Sequence, residues 1–445
     1  MKIGILGGGL SGLALGALLA GEGRHDFLVL EAEAECGGLC RSMQAQGYTF
    51  DYSGAHIIFS RKKSVLGLML SLLGKNACQR RRNTKIFYNG RLVKYPFENG
   101  LSGLPLSENL GCLAGYASAL AQKRTGAKNL KEWLRNRFGK GISEKYLVPY
   151  NEKIWNTKAE NLSTSWVEGR IPSPPFADVL KASLGLGSEG YTHQLNFHYP
   201  LRGGIQSLTR ALESRIKGKR IARNFKVAKV KKEGGKWVVS GAGTRAKTEH
   251  EFDFLVSTIP IHSLAAAAER VPREVRKAVS GLKFNSVATV MLGINKPKIN
   301  DVSWMYFPGS ELFNRVAFPS NFSPFAAPEG KSSLVAEITF REGDQVARMG
   351  DRELKERVIR ELAQDGILEE DAIDYSAVRR TKHAYILHDL HYDTNAAAAR
   401  GYFAKQGIML CGRFSEFRYL NMDACIESAM GKAKEMSSAF GVRND

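Results

Sequence analysis

The chain has 445 residues, 43% hydrophobic and 24% charged, which excludes a disordered or fibrous polymer and asks for two or three packed domains. Six cysteines in 445 residues, with no paired CxxC spacing, fit a reducing compartment better than a disulfide framework, so a cytoplasmic location is expected. A formal net charge of +20 would suit nucleic acid. The basic residues are instead spread over 80–82, 122–140 and 215–220 with no nucleic-acid motif, so an anionic small substrate and a solvated basic periphery are expected.

In chain order, "IGILGGGLSGLALGALLAG" (3–21) is uncharged but packs its glycines at the start. It lacks a basic leader and a small-residue cleavage site, so a soluble strand and helix are expected rather than a signal or an integral membrane segment. Residues 3–7 read as a buried strand, then a glycine turn opens a helix, and "FLVLE" (27–31) reads as a second buried strand. That β-α-β unit forecasts a parallel sheet. "TKIFYNGRLVKYPF" (84–97) predicts a hairpin around its Asn-Gly turn, and residues 100 to 190 read as helical. A second hairpin (225–241), a buried strand (252–260), a mixed sheet (285–390), and a strand, glycine turn and helix from Asn421 to about Phe440 complete the pattern.

Gly7, Gly9 and Gly12 form GxGxxG between the first strand and the first helix. Such glycines allow a tight turn, close approach of a pyrophosphate, and close helix–strand packing. The helix N-terminus adds free N–H groups and positive potential. Glu31 closes the second strand, where a carboxylate accepts hydrogen bonds from ribose hydroxyls. Gly37 and Gly38 follow, then Arg41. Paired glycines let a second backbone segment approach the same dinucleotide. This order of acid, glycine doublet and arginine resembles the FAD domain of the amine oxidase and protoporphyrinogen oxidase superfamily. The flanking Cys36 and Cys40 then read as small packing residues.

Further segments narrow the resemblance. "FDYSGAHIIFS" (50–60), "YNGRLVKYPFEN" (88–99), "YNEKIWN" (150–156), "WVEGRIP" (166–172), "YFPGSELFNRVAFPSNFSP" (306–324) and "GRFSEFRYLNMD" (412–423) are similar, in that order, to UDP-galactopyranose mutases. The resemblance implies an α/β architecture: a Rossmann-type FAD-binding domain (1–83, 200–285 and 396–445), a helical cap (100–190) and a mixed β-sheet substrate domain (84–99 and 286–395). It implies a flavin-dependent isomerase that interconverts pyranose and furanose forms of a UDP-galactose-like nucleotide sugar through N5 of reduced FAD. NADPH or NADH would be the reductant, and cell envelope polysaccharide biosynthesis the setting. An FAD-dependent oxidoreductase of the amine oxidase or protoporphyrinogen oxidase type is the alternative.

The same resemblance implies the site residues. Arg170 and Arg315 would hold a diphosphate, which bidentate guanidinium groups suit better than lysine. Tyr385 and Tyr419 would complete the substrate shell. His56 would stand beside the flavin, making His56, Arg170 and Arg315 the catalytic candidates. Gly7, Gly9, Gly12, Glu31, Gly38, Arg41, His56, Val227, Arg413 and Met422 would bind the cofactor. The last helix would aim its N-terminus at reduced flavin, an anion, with Arg413 adding charge. One departure stands out, because bacterial mutases commonly carry Asp where this chain has Asn421. No metal site is expected, and the sequence leaves the oligomeric state open.

Overall fold

The structure is a computed structural model, which describes residues 1–122, 126–167, 170–186, 195–216, 218, 220–242 and 247–441. Glu168 and Gly169 of the "WVEGRIP" segment, and the 187–190 end of the expected cap, lie outside the described residues.

A five-stranded sheet organises one half of the fold, with every neighbouring pair parallel. Its order is Ile408–Leu410, Phe254–Ser257, Lys2–Leu6, Asp26–Leu30, Ile221–Ala222. The central strand, KIGIL, buries Ile3, Ile5 and Leu6 completely, as a strand covered on both faces must. The helix Leu10–Glu22 covers one face and ends at Gly23, whose left-handed backbone (φ 68°) donates its N–H to Leu19 O at 3.2 Å. The last helix, Met422–Gly441, packs in the same core through Cys425, Ile426 and Ala429 against Leu13, Ala14 and Ala17. An antiparallel sheet of Lys226–Glu233, Lys236–Ala242 and Lys247–Phe252 extends the expected hairpin by a third strand.

The other half is a seven-stranded mixed sheet. Its order is Ile373–Ile386, Phe284–Ile294, Ser332–Phe340, Arg315–Ala317, Trp304–Tyr306, Thr84–Tyr88, Arg91–Lys94. All neighbours are antiparallel except Trp304–Tyr306 with Thr84–Tyr88. One face carries Val290, Leu292, Val316, Ala336 and Ile338 into a core closed by Leu354, Val358 and Leu362 of the helix Asp351–Gln364. By alternation, Arg315 and Glu337, register partners on adjacent strands, project to the other face. The division expected at 395/396 falls inside the helix Tyr392–Lys405, which packs against the parallel-sheet half.

The cap comprises the helices Leu106–Gln122, Leu130–Ile142, Val148–Trp155 and Phe176–Ser183. Asn129 opens the second by accepting the Glu132 N–H at 3.0 Å. Gly139 kinks its end with φ 71°, and a Cβ there would lie 2.2 Å from Gly115 O, so only glycine lets these helices cross.

Asp51 fastens the loop that follows it, 52–60, to its surroundings. Its buried carboxylate accepts hydrogen bonds from Ser42 Oγ (2.6 Å), Tyr199 OH (2.8 Å) and the Ile205 N–H (2.9 Å). Asp51→Ala strands three donors, so it is expected to cost about 3 kcal/mol in a urea unfolding titration. His388 ties strand, cap and helix Tyr392–Lys405 together. Its ring stacks on Tyr392 at 3.7 Å, its carbonyl accepts the Ser163 N–H at 2.8 Å, and neither ring nitrogen is hydrogen-bonded. Burial, then the guanidinium groups of Arg170 and Arg400, push its pKa down to about 3 from 6.5. The unfolded chain therefore takes up this proton first as pH falls, and stability drops between about pH 6.5 and pH 3. Tm measured across that range should fall less steeply in His388→Phe than in the unaltered protein.

Candidate functional site

The site begins at the C-terminal edge of the parallel sheet, where open α/β sheets bind ligands. Gly7 turns the chain with φ 100°, and its N–H donates to Leu30 O at 2.8 Å. A Cβ on Gly12 would sit 2.0 Å from Gly7 O, so this glycine is required for the helix to start against the strand. Glu31 is buried and accepts the N–H groups of Gly8 (2.7 Å) and Glu33 (2.9 Å). The glycine doublet folds back onto the same turn. Gly9 and Gly37 form an isolated parallel bridge, the Gly37 N–H donates to Gly8 O at 2.9 Å, and Gly38 has φ 56°. Val227 is half-buried in the cluster that includes Leu28, Leu30 and Ala222, beside the Glu31 end.

These residues fit a dinucleotide. A Cβ on Gly9 would meet nothing nearer than Gly38 Cα at 3.8 Å, so no protein atom demands glycine there and the two glycine backbones leave a cradle open. Arg41 Nε, and Nε and Nη2 of Arg413, are buried donors with no hydrogen-bond partner, as anion-binding groups would be. Arg413 follows Gly412, which has φ 90°. A Cβ on Gly412 would fall 2.2 Å from Ser11 Oγ, so the missing side chain sets this loop directly against the first helix. Met422 begins the last helix, and its Sδ lies 3.5 Å from Cys40 Sγ. Cys36 and Cys40 are free, buried thiols, and burial pushes Cys36 up to about 12. That matches packing rather than reactivity. Among the described residues no group of histidine, cysteine and carboxylate side chains suits a metal.

The second half of the site faces the mixed sheet and the cap. Arg315 makes a bidentate ion pair with Glu337, Nε to Oε1 at 2.8 Å and Nη2 to Oε2 at 2.7 Å. Glu337 is completely buried and also accepts the Ala55 N–H (3.0 Å) and Tyr385 OH (3.3 Å). Burial works against the Arg315 charge, but the charge and hydrogen bonds of Glu337 together with Tyr385 and Tyr306 outweigh it and hold the guanidinium protonated. Gly54 has φ 101°, and a Cβ there would come within 2.9 Å of Glu337 Oε2, so the carboxylate packs on a glycine. The Gly54 carbonyl lies 2.7 Å from His56 Nδ1, which must donate to it, leaving Nε2 as the open acceptor. Burial, with Arg315 nearby, lowers the His56 pKa and favours the neutral ring.

Arg170 donates from Nη2 to the Tyr419 carbonyl, and its Cζ lies 4.2 Å from the Tyr419 ring centroid. Arg413 stands 4.5 Å from the same centroid and 5.8 Å from that of Tyr385. An unbroken chain of contacts thus joins Arg170, Tyr419, Arg413, Tyr385, Glu337 and Arg315. All the substrate candidates meet in one place. Trp155 seals it from the cap, edge-on to Tyr419 (5.6 Å) and Tyr385 (6.3 Å), with Trp166 packed at 5.1 Å. Asn421 is exposed, and its carbonyl accepts the Cys425 N–H at 2.9 Å in the first turn of the last helix.

Sequence reasoning missed Glu337 and Trp155. A signal existed for Glu337: the one charged residue in the strand SSLVAEITF. Trp155 sits in "YNEKIWN", but only the tertiary fold turns it toward Tyr419. Filling the glycine cradle separates folding from cofactor binding. Gly9→Val is expected to leave Tm of the flavin-free protein within a few degrees while abolishing the visible absorbance gained on reconstitution with FAD.

The family profile "Flavin containing amine oxidoreductase" matches residues 10–437. Coproporphyrinogen III oxidase of Bacillus subtilis (strain 168) is 23% identical over 397 residues, covering 80% of this chain and 81% of that one. The fold is shared with a reduced UDP-galactopyranose mutase at TM-score 0.89 and 23% identity, over 100% of this chain and 96% of that one. It is shared too with a putative protoporphyrinogen oxidase from Exiguobacterium sp. 255-15 at TM-score 0.77 and 18% identity, over 98% and 99%. With its glycine turn, acid and doublet built as a dinucleotide cradle, the chain belongs to the flavin-containing amine oxidoreductase family and is a flavin-dependent enzyme.

Proposed function

We propose that the enzyme is a mutase-type isomerase that interconverts the pyranose and furanose forms of a UDP-galactose-like nucleotide sugar. The observation that carries this reading is the contact chain from Arg170 through Tyr419, Arg413 and Tyr385 to Arg315, which gathers three guanidinium groups and two phenols at the flavin-side edge of the sheet. A diphosphate calls for that combination of charge and neutral donors. Gly7, Gly9, Gly12, Glu31, Gly38, Arg41, Val227, Arg413 and Met422 would hold FAD. When bound and reduced, the flavin supplies an electron-rich nucleophile for the anomeric carbon.

The chain's own residues do the rest. Arg170 and the edge of Arg315 turned away from Glu337 hold the diphosphate and stabilise the negative charge of the departing UDP. Tyr419 donates to a phosphate oxygen, while Tyr385, whose proton is given to Glu337, lines the cavity beside it. Neutral His56 offers Nε2 as an acceptor beside the reacting centre. Trp155 and Trp166 exclude water from the reacting sugar. NADPH or NADH is the proposed reductant, and the cytoplasm the proposed compartment.

The test is anaerobic incubation of dithionite-reduced, FAD-loaded protein with UDP-galactofuranose, with products separated by chromatography. Conversion to UDP-galactopyranose only after reduction supports the reading, and no conversion overturns it. Lysine keeps the charge but loses the fork, so Arg170→Lys and Arg315→Lys should each weaken UDP binding about tenfold by isothermal titration with the flavin spectrum unchanged.

A second reading, porphyrinogen oxidation, draws on one feature: the wall of Tyr95, Tyr150 and Tyr306, with ring centroids 5.1 Å apart at each step, offers flat apolar surface beside Arg315. Rapid oxygen uptake with coproporphyrinogen, and no furanose conversion, would select it.

A further inference from the structure

Large exposed apolar side chains are not scattered over this molecule. Eleven occur among the described residues, and eight of them fall on the outer side of the cap and the adjoining hairpin. Leu106 (72% exposed), Leu184 (66%) and Leu186 (59%) protrude furthest, joined by Leu92, Leu110 and Leu120. Phe176 and Leu180 complete the group.

The patch is continuous because its elements are fastened together. Asn109 Nδ2 donates to Ser183 O at 2.9 Å, and Ser183 Oγ donates to Asn109 Oδ1 at 2.7 Å, which locks the helices Leu106–Gln122 and Phe176–Ser183 side by side. Ser102 Cβ lies 3.8 Å from where a Cβ on Gly185 would stand, and Gly103 lies against Leu92 and Val93, so hairpin, turn and helices share one outer surface. On the first helix Leu106, Leu110 and Leu120 fall within an arc of about 80°, beside rather than within the stripe of Asn109, Cys112 and Tyr116 that faces the core. The exposed leucines are therefore a second apolar face that the cap's own packing does not use. Together these side chains leave on the order of 600 Å² of apolar surface open, the upper end of what a lone soluble chain exposes.

Charge decides what covers it. Arg91, Lys128 and Lys181 are exposed at its margin; of the acids near it, Glu108 is paired with Lys145 at 2.7 Å, Glu132 accepts the Lys128 N–H at 3.0 Å, and Asp178 shares the helix of Phe176 and Leu180. The whole chain carries +20, which repels a second copy and attracts an anionic surface. Apart from Phe176 the patch is all leucine, with no Trp, Tyr or Met, and its rim keeps lysine, which protein interfaces deplete. Protruding leucines rimmed by basic side chains are instead the composition of a face that lies in a lipid headgroup layer. No helix among the described residues is long and apolar enough to cross a membrane, which leaves docking on its surface. We infer that the outer face of the cap binds peripherally to a bilayer rich in anionic lipid.

The test is flotation of the FAD-loaded full chain with vesicles of phosphatidylcholine alone, and of phosphatidylcholine mixed equally with phosphatidylglycerol. Two double variants accompany it: Leu106→Ser with Leu184→Ser, and Arg91→Glu with Lys181→Glu. All four positions are exposed and remote from the site, and unchanged Tm and flavin absorbance establish that the variants fold. The expected result is recovery with anionic vesicles about tenfold above neutral ones, and loss of most of it in either double variant. Binding that ignores the leucine changes would reduce the effect to diffuse charge attraction and overturn the inference. So would absence of vesicle binding, or a dimer in sedimentation velocity that the leucine changes dissociate, which would make a second copy the occupant.

Discussion

Glu337 sits in mid-strand with no solvent contact, and a carboxylate there is tolerable only if every lone pair is used. Arg315 takes both oxygens, the Ala55 N–H takes Oε1, and Tyr385 takes Oε2. Each of these partners comes from a different part of the chain. The carboxylate therefore does more than neutralise an arginine. It fixes which edge of the guanidinium is spent and which faces the cavity. It anchors the glycine loop that carries His56, and it sets the hydroxyl of Tyr385. Because Gly54 has no side chain, that loop lies directly against the carboxylate, and the histidine inherits its position from the ion pair.

The two halves of the site are built on different physical logic. The dinucleotide end is mostly backbone, with glycine turns, a helix N-terminus and one acid from the first forty residues, joined by the side chains of Arg41 and Arg413. Such a cradle binds a phosphate ester of any dinucleotide and discriminates little. The substrate end is almost entirely side chain. Its arginines and tyrosines arrive from the cap, two sheet strands and the glycine turn after Leu410, and they stack on one another as cation–π and edge-on aromatic pairs. Shared binding of flavin across the family and divergent chemistry within it follow from that division.

That division also explains what was legible in the sequence. Gly7, Gly9, Gly12, Glu31 and the Gly37–Gly38 doublet carry local backbone requirements, and a run of glycines beside a strand announces itself. The hairpin at Asn89–Gly90 was readable for the same reason: the turn residue has φ 49° and the glycine φ 73°. Arg170 and Arg315 were found only through resemblance, since an isolated arginine has no local signature. The ion pair that constrains Arg315 was invisible, because its antiparallel register with Glu337 is set across the connection 318–331, which is too long for a tight hairpin turn to fix it. The outer face of the cap escaped as well. "LSENLGCLAGYASALAQ" reads as a helix with apolar residues at helical spacing, and spacing alone does not say that the helix carries one face for the core and another for something else.

The central claim is that Arg170 and Arg315, one from the cap and one from the sheet, grip a single diphosphate. A double-mutant cycle of Arg170→Lys and Arg315→Lys on UDP affinity, in FAD-loaded reduced protein, addresses it directly. If one anion bridges both guanidinium groups, the two losses must be coupled, with a coupling energy of about 1 kcal/mol or more. Losses that add to within about 0.3 kcal/mol would mean that the two arginines serve separate ligands or none, and would contradict the account.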